Sequence, residues 1–214
     1  MPVQLVDGVG AGGRVRAVPW VSCVCPCGRA AAGTRRSVSA FLPGMPDPPL
    51  LVKMTEREML DLLHARYGAI SSNGGTLKPR YVKAEKVRAQ TGFDRRTADF
   101  VAVDTWASAK CAIHGVEVKV SRSDWLRELK EPDKSAACMS WCTHWWLAVS
   151  DRSIVRDGEL PPGWGLLAAK KHRDGLRLAQ VVAAPRRGVP PIPPESMCAL
   201  LYAAVKTAVA RGSA

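Results

Sequence analysis

The chain has 214 residues, of which 47% are hydrophobic and 23% charged, and this composition suits one folded domain with additional terminal segments. No apolar run approaches the roughly 18–20 residues of a membrane-spanning helix, and the N-terminal residues lack the pattern of a secretory signal. We therefore expect a cytoplasmic protein without a membrane partner. The formal net charge of +12 favours a polyanionic partner.

The positive charge is concentrated at the two ends of the chain. Residues 1–53 contain 6 basic and 2 acidic residues, and residues 170–214 contain 8 basic and 2 acidic residues. Residues 54–169 contain 17 basic and 15 acidic residues. Basic ends favour contact with a polyanion, and a carboxylate-rich centre favours a divalent metal ion. Solvated arginine-rich tails are the alternative explanation, and charge alone does not decide between the two.

Residues 1–53 contain no sustained apolar period and are rich in Gly, Pro, Ala and Arg, so we predict a disordered basic extension. An alternative is that the natural start lies downstream, for example at Met54. Three cysteines have C-x-C-x-C spacing without a second Cys or His pair, so zinc is not favoured: Cys23, Cys25 and Cys27. The other four lie in apolar surroundings and are predicted to be buried, reduced thiols: Cys111, Cys138, Cys142 and Cys198.

Order is predicted to begin at Thr55, which forms a capping-box pattern with Glu58 and starts an amphipathic helix that ends near Tyr67. A loop is predicted at residues 71–75. Strands are predicted at residues 81–88, where a short helix is the alternative, and at 98–103, 113–120 and 145–149. A turn is predicted at 104–110 and a hairpin at 165–169 and 176–182. Helices are predicted from a cap at Ser121 or Ser123 to Lys130, at 133–142 and at 195–211. This order predicts an α/β domain with a mixed sheet.

Two charged residues share one face of the predicted strand at 113–120. Because side chains alternate along a strand, Val116 and Val118 face a core, while Glu117 and Lys119 point the other way, roughly 6–7 Å apart. An acid and a base on the same face of an apolar strand indicate a functional site. The alternative is an ion pair on a solvated sheet edge.

Asp99 is predicted to face Glu117. A hairpin centred on Ser108 places the two residues opposite each other, with Cβ atoms about 4.5–5.5 Å apart. Carboxylates at this separation repel each other unless a cation lies between them. Mg²⁺ binds one or two carboxylates together with water and phosphate, so the pair predicts a site for Mg²⁺ or Mn²⁺, with Lys119 beside it. The alternative for Asp99 is an acid that binds backbone amides at the start of a strand.

Ala98-Asp99 followed by Glu117-x-Lys119 resembles the signature of the PD-(D/E)XK nuclease superfamily, with Ala98 in place of the proline. Several further segments resemble a phage and actinobacterial branch that is related to MmcB-like DNA repair proteins: residues 118–130, 145–149 and 163–167. The resemblance covers residues 55–182 and leaves both tails unexplained.

The resemblance implies a restriction-endonuclease-like core: a helix, a three-stranded antiparallel meander, a helix and a strand, at residues 54–184. Residues 185–214 would be a Pro-rich linker and a C-terminal helix. The implied activity is metal-dependent hydrolysis of phosphodiester bonds in DNA, in repair, recombination or phage DNA metabolism. Asp99 and Glu117 would hold the metal ion, and Lys119 would orient the attacking water or stabilise the developing negative charge.

The first core helix of this superfamily often supplies a further glutamate, and two are available here. Glu58 is already the capping-box partner, whereas Glu56 shares a helix face with Leu60 and Leu63. We therefore prefer Glu56 as the fourth catalytic residue and keep Glu58 as the alternative.

Five residues are candidates for contacts with nucleic acid: Arg96, Ser121, Arg122, Lys130 and Lys134. They would position the phosphate backbone without reading base sequence. DNA is the expected partner, and a homodimer is a candidate assembly because many nucleases that cut two strands act as dimers. The alternatives are a catalytically inactive nucleic-acid-binding module of the same fold and an interaction protein that uses its basic tails.

Overall fold

The computed structural model describes residues 53–73, 76–89, 97–131 and 133–212. The described helices are α1 (Glu56–Arg66), α2 (Arg122–Lys130), α3 (Asp133–Met139) and α4 (Pro194–Ala210). The described strands are β1 (Ile70–Asn73), β2 (Thr76–Pro79), β3 (Tyr81–Arg88), β4 (Thr97–Asp104), β5 (Ile113–Lys119), β6 (His144–Val149), β7 (Trp164–His172) and β8 (Gly175–Val182).

The fold is α/β, with a mixed sheet of six strands in the order β3-β4-β5-β6-β7-β8. Strands β3, β4 and β5 form an antiparallel meander, β5, β6 and β7 are parallel neighbours, and β8 returns antiparallel to β7. The parallel step from β5 to β6 is connected through α2 and α3, because parallel neighbours need a long crossover. The mixed sheet predicted from the sequence is confirmed.

Both faces of the sheet are covered. Alternate residues of the central strands enter two apolar clusters. One contains Met59 and Leu63 of α1 together with Phe100 and Val116. The other contains the buried indoles of α2, the segment after α3, and β6, together with residues of α4: Trp125, Trp141, Trp145, Leu200 and Ala203. Helix α4 packs against β3. Charged residues in the central strands therefore have little access to solvent, except at the ends of the sheet.

Local signals fix several boundaries. Thr55 and Glu58 form the predicted capping box at the start of α1, and Ser121 caps α2 by accepting the backbone N–H of Asp124. Helix α3 ends at Met139, three residues before the predicted end. A 3₁₀ turn at Ala107–Ala109 lies within the predicted turn between β4 and β5.

The hairpin of β1 and β2 was not predicted, because a loop was expected at residues 71–75. The two strands pair from Ile70↔Pro79 to Asn73↔Thr76 and form a separate two-stranded sheet. Backbone hydrogen bonds alone can hold a short hairpin of this kind, so its strands do not need alternating apolar and polar residues. Without that alternation, the sequence gives no signal for the two strands.

The thiols are divided between the interior and the surface. Cys138 and Cys142 are buried, as expected. Cys111 and Cys198 are exposed, so the prediction that they are buried is wrong. Cys111 follows the 3₁₀ turn, and Cys198 lies on the outer face of α4. Among the described residues, no helix is both long enough and apolar enough to cross a membrane.

Candidate active site

A pocket of about 370 Å³ lies at the end of the sheet where β3 and β5 end and β4 begins. Residues from α1, β3, β4, β5 and α2 line it. Six of the charged lining residues form its interior ion pairs: Glu56, Lys86, Asp99, Glu117, Lys119 and Glu128. These six are the four residues predicted to be catalytic and two that were not predicted, Lys86 and Glu128.

The register of β4 and β5 is the one expected from the sequence. Phe100 pairs with Val116 at the end of the ladder, and the same register extended by one residue places Asp99 beside Glu117. Strand β5 lies between β4 and β6, and Glu117 is only 5% exposed, so the solvated-edge alternative for Glu117 and Lys119 is wrong. Asp99 does bind a backbone amide, because its Oδ2 accepts the N–H of Val118 at 2.8 Å. Its Oδ1 remains directed elsewhere in the pocket.

Lys119 bridges two buried carboxylates. Its ammonium donates to Glu117 Oε1 at 2.6 Å and lies 3.0 Å from Glu128 Oε2. Burial opposes the charged form of Lys119, but the two carboxylates outweigh burial and raise its pKa above the ordinary value. Lys119 therefore places a stable positive charge in the pocket.

Glu117 is shielded from water and surrounded by other charges. Burial raises its pKa to about 7, and the negative charge of Asp99 adds to this increase, while Lys119 opposes it. A cation between Glu117 and Asp99 would relieve the repulsion that Glu117 experiences, and carboxylate oxygens are the ligands that hard divalent metal ions prefer.

Lys86 forms a second bridge at the mouth of the pocket. Its ammonium donates to Asp99 Oδ1 at 2.7 Å and forms an ion pair with Glu56 Oε1. Burial lowers the pKa of Lys86, but the carboxylates of Asp99 and Glu56 outweigh burial and raise it. Glu58, the alternative to Glu56, is occupied in the capping box with Thr55, as its sequence position predicted.

The sequence interpretation missed Lys86 and Glu128. Glu128 carried a signal, because it lies three residues after Trp125 on the buried face of α2, where a carboxylate needs a partner. The alternation of polar and apolar residues along the sequence gives no signal for Lys86. It lies opposite Asp99 only in the register of β3 with β4, between the pairs Glu85↔Phe100 and Val87↔Ala98.

The predicted nucleic-acid contacts are placed unevenly. The Ser121 hydroxyl is used in capping α2 and donates to Asp124 at 2.7 Å. Arg122 forms an ion pair with Glu159 and donates to the carbonyl of Ile154, and it does not line the pocket. Lys130 is exposed and also lies outside the pocket lining. Two candidates lie outside the described residues, one entirely and one through its side chain: Arg96 and Lys134.

Arg127, unlike Arg122, does line the pocket. It is exposed on α2 and lies 3.6 Å from Asp124, which lines the pocket as well. An exposed guanidinium beside the pocket is suited to contact with a phosphate group. The sequence interpretation did not single out Arg127.

The donor set of the pocket suits a hard divalent cation, because the available ligands are carboxylate oxygens. Glu128 Oε1 is buried and has no hydrogen-bond partner among the described residues, so one oxygen remains to be satisfied. In the described part of the chain, no three side chains of His, Cys, Asp or Glu form a group that could hold a metal ion. The ammonium groups of Lys86 and Lys119 lie between the carboxylates instead.

Comparisons with known proteins add little to this geometry. No protein-family model matches the chain, and no curated protein matches it. The solved structure of SPO1766, a protein of unknown function from Silicibacter pomeroyi, is similar at 22% sequence identity with a TM-score of 0.42. The similarity covers 62% of this chain and 77% of that chain.

Proposed function

We propose that this protein is a metal-dependent nuclease of the PD-(D/E)XK superfamily, with a restriction-endonuclease-like core, that hydrolyses phosphodiester bonds in DNA. One observation carries the proposal. Asp99, Glu117, Lys119 and Glu56 line a single pocket, although they come from three different elements. The meander of β3, β4 and β5 followed by α2 and the parallel strand β6 has the element order expected for that core.

Asp99 and Glu117 would hold Mg²⁺ or Mn²⁺, with Glu56 as a further ligand. A bound ion of this kind lowers the pKa of a coordinated water and polarises a phosphate oxygen. Lys119 stays protonated beside Glu117 and stabilises the negative charge that develops on the phosphate, or it orients the attacking water. Arg127 at the pocket supplies a second positive charge to the phosphate backbone.

The substrate is assigned to nucleic acid on the basis of charge. The chain carries a net charge of +12, and most of the excess lies in residues 1–53 and 170–214. Basic residues in these two stretches of the sequence favour binding of a polyanion, while the carboxylates of the pocket would bind a metal ion. Roles in DNA repair, recombination or phage DNA metabolism are consistent with this chemistry.

The test is cleavage of labelled single-stranded, duplex and branched DNA, and of matched RNA, in Mg²⁺, Mn²⁺ or EDTA. Asp99→Asn keeps an acceptor for the Val118 amide but removes the charge, so it should abolish cleavage while the protein remains folded. Lys119→Ala should also abolish cleavage. Lys206→Ala removes an exposed charge from α4 and should cleave as the wild type does. Circular dichroism identifies any variant that has lost its fold.

Binding without cleavage is the outcome that supports the second candidate, an inactive nucleic-acid-binding module. The ammonium groups between the carboxylates are the observation that favours it, because they already neutralise the charges that a metal ion would neutralise. Nucleic-acid binding with no product in either metal, and with equal affinity in Asp99→Asn, would support the inactive module and contradict the nuclease.

A further inference from the structure

Lys86 differs from the other pocket residues in its backbone conformation. It lies within β3 with φ of +52°, a left-handed conformation that side chains with a Cβ atom rarely adopt. The flanking pairs Glu85↔Phe100 and Val87↔Ala98 keep the same register on both sides of it. Strained conformations of this kind persist where the surroundings impose them, and they are concentrated at functional sites. Here the conformation accompanies an ammonium directed at Asp99.

The two lysine bridges of the pocket differ in their access to water. The side chains of Lys86 and Glu56 are 50% and 47% exposed, whereas that of Lys119 is 11% exposed. Departure of Lys119 would leave Glu117 and Glu128 buried without a cation, which is costly. Departure of Lys86 would transfer a flexible, half-exposed ammonium into solvent, where it is readily hydrated. Lys86 is therefore the exchangeable cation of the pair.

The oxygens of Asp99 show what Lys86 would exchange with. Oδ2 accepts the Val118 amide, so Oδ1 is the oxygen directed at the pocket, and Lys86 occupies it at 2.7 Å. A divalent ion that binds Oδ1 would share this oxygen with an ammonium. Two cations on one oxygen repel strongly in a partly buried site. The metal ion and the Lys86 ammonium therefore weaken each other's binding at this oxygen.

We propose that Lys86 is an internal, displaceable cation that competes with the divalent metal ion for Asp99 and Glu56 and thereby sets the metal affinity of the pocket. The inference rests on the proposed function, since it takes the pocket to be a metal site. It also explains the separation of the carboxylates into two lysine-bridged pairs, Glu56 with Asp99 and Glu117 with Glu128. Lys86 keeps the first pair together until a metal ion replaces it.

The experiment measures Mn²⁺ binding to the full chain by isothermal titration calorimetry, without nucleic acid. Lys86→Met should bind Mn²⁺ about tenfold more tightly than the wild type, because a competing positive charge is removed. Lys86→Arg keeps the charge and should remain close to the wild type. Lys83→Met removes the same charge from the same strand, outside the pocket lining, and should leave the affinity unchanged.

Thermal unfolding gives a second measurement. In EDTA, Lys86→Met should melt below the wild type because Glu56 and Asp99 lose their cation, and Mn²⁺ should raise its melting temperature more than that of the wild type. If the Met variant does not fold, Lys86→Gln carries the same test, since its amide can still donate to Asp99.

Equal or weaker Mn²⁺ binding by Lys86→Met, or no binding by any of the proteins, overturns the competition. The cleavage assay is read separately. If Lys86→Met binds Mn²⁺ more tightly but no protein cleaves DNA, the role of Lys86 is supported and the nuclease is contradicted. If the wild type cleaves DNA but Lys86→Met binds Mn²⁺ with the same affinity as the wild type, the inference alone is overturned.

Discussion

Lys119 shows how much of the site depends on one side chain. Its ammonium is the shared cation of Glu117 and Glu128, and both residues are buried. Removing one partner of a buried ion pair commonly costs about 3–5 kcal/mol, because the remaining charge is left in a medium that solvates it poorly. A loss of activity in Lys119→Ala is therefore informative only together with the fold check, and Asp99→Asn is the cleaner variant.

His114 lies outside the pocket, and its protonation is expected to lower the stability of the folded protein. Its Nδ1 accepts the indole N–H of Trp146 at 3.2 Å, and its ring stacks on His144 at 4.5 Å between centroids. Burial lowers the pKa of His114 from 6.5 to about 4, and the neighbouring His144 adds to the decrease. A neutral ring is therefore favoured in the folded state.

The sign of the pH effect follows from this lowered pKa. Between pH 6.5 and about 4 the unfolded chain binds a proton at His114 that the folded chain does not, so the free energy of unfolding decreases as the pH falls. Above pH 6.5 the contribution of His114 is fully present. In His114→Asn, whose Oδ1 can accept the Trp146 indole, the loss of stability on acidification should be smaller than in the wild type.

The measurement is urea unfolding of both proteins at about pH 7.5 and about pH 5, on either side of the ordinary His pKa. For each protein, the free energy of unfolding at about pH 5 is subtracted from that at about pH 7.5. This difference cancels any loss of stability from the substitution that does not depend on pH. An identical decrease in both proteins would show that His114 does not cause the acid sensitivity, and would direct attention to His64 and His144, whose pKa values burial also lowers.

At the scale of the element, β5 depends on a close approach to β6 and to the segment between α3 and β6. A Cβ atom at Gly115 would lie 2.3 Å from the Trp145 ring and 2.8 Å from Cys142 Sγ. Only glycine fits there, and the same strand carries Glu117 and Lys119 two and four residues later. The packing of the core therefore fixes the position of the candidate catalytic residues.

We expect Gly115→Ala to destabilise the protein by about 1–3 kcal/mol or more, because Trp145 or the strand must move. Gly188→Ala is the matched control, since a Cβ at Gly188 meets nothing within 4 Å. Chemical denaturation measures both. Equal stability of the two variants would contradict the close packing of β5, whereas a loss confined to Gly115→Ala would support it.

At the scale of the whole molecule, the positive charge lies mainly outside the part of the sequence that forms the central sheet. The sheet is covered on both faces by apolar clusters, and the +12 charge is distributed mainly over the two ends of the chain. Most of the binding energy for a polyanion would then come from counterion release rather than from the pocket. Under the proposed function, the pocket would contribute through a bound metal ion and through Lys119.

We therefore expect the affinity of the Asp99→Asn protein for duplex DNA to fall by at least about tenfold when NaCl rises from about 50 to about 200 mM. Fluorescence anisotropy with a labelled duplex measures this in EDTA, where no cleavage occurs. The affinity should change little with base sequence. An affinity that is insensitive to salt would contradict binding through the phosphate backbone.

The sequence by itself determined the parts of this protein that neighbouring residues specify. The capping box at Thr55, the strand predicted at 113–120 and the register of β4 with β5 all follow from short-range patterns, and the structure agrees with them, with the strand ending at Lys119. These patterns act over two to four residues or across the short connection at residues 105–112, so their physical basis is present in the sequence. The preference for Glu56 over Glu58 had the same local origin.

Only the tertiary structure decided which charges meet. Glu128 reaches Lys119 because α2 packs on β5, and Lys86 reaches Asp99 because β3 pairs with β4 and adopts a left-handed conformation at one residue. Both encounters depend on the sum of many weak packing contributions between elements distant in the chain, which no local pattern encodes.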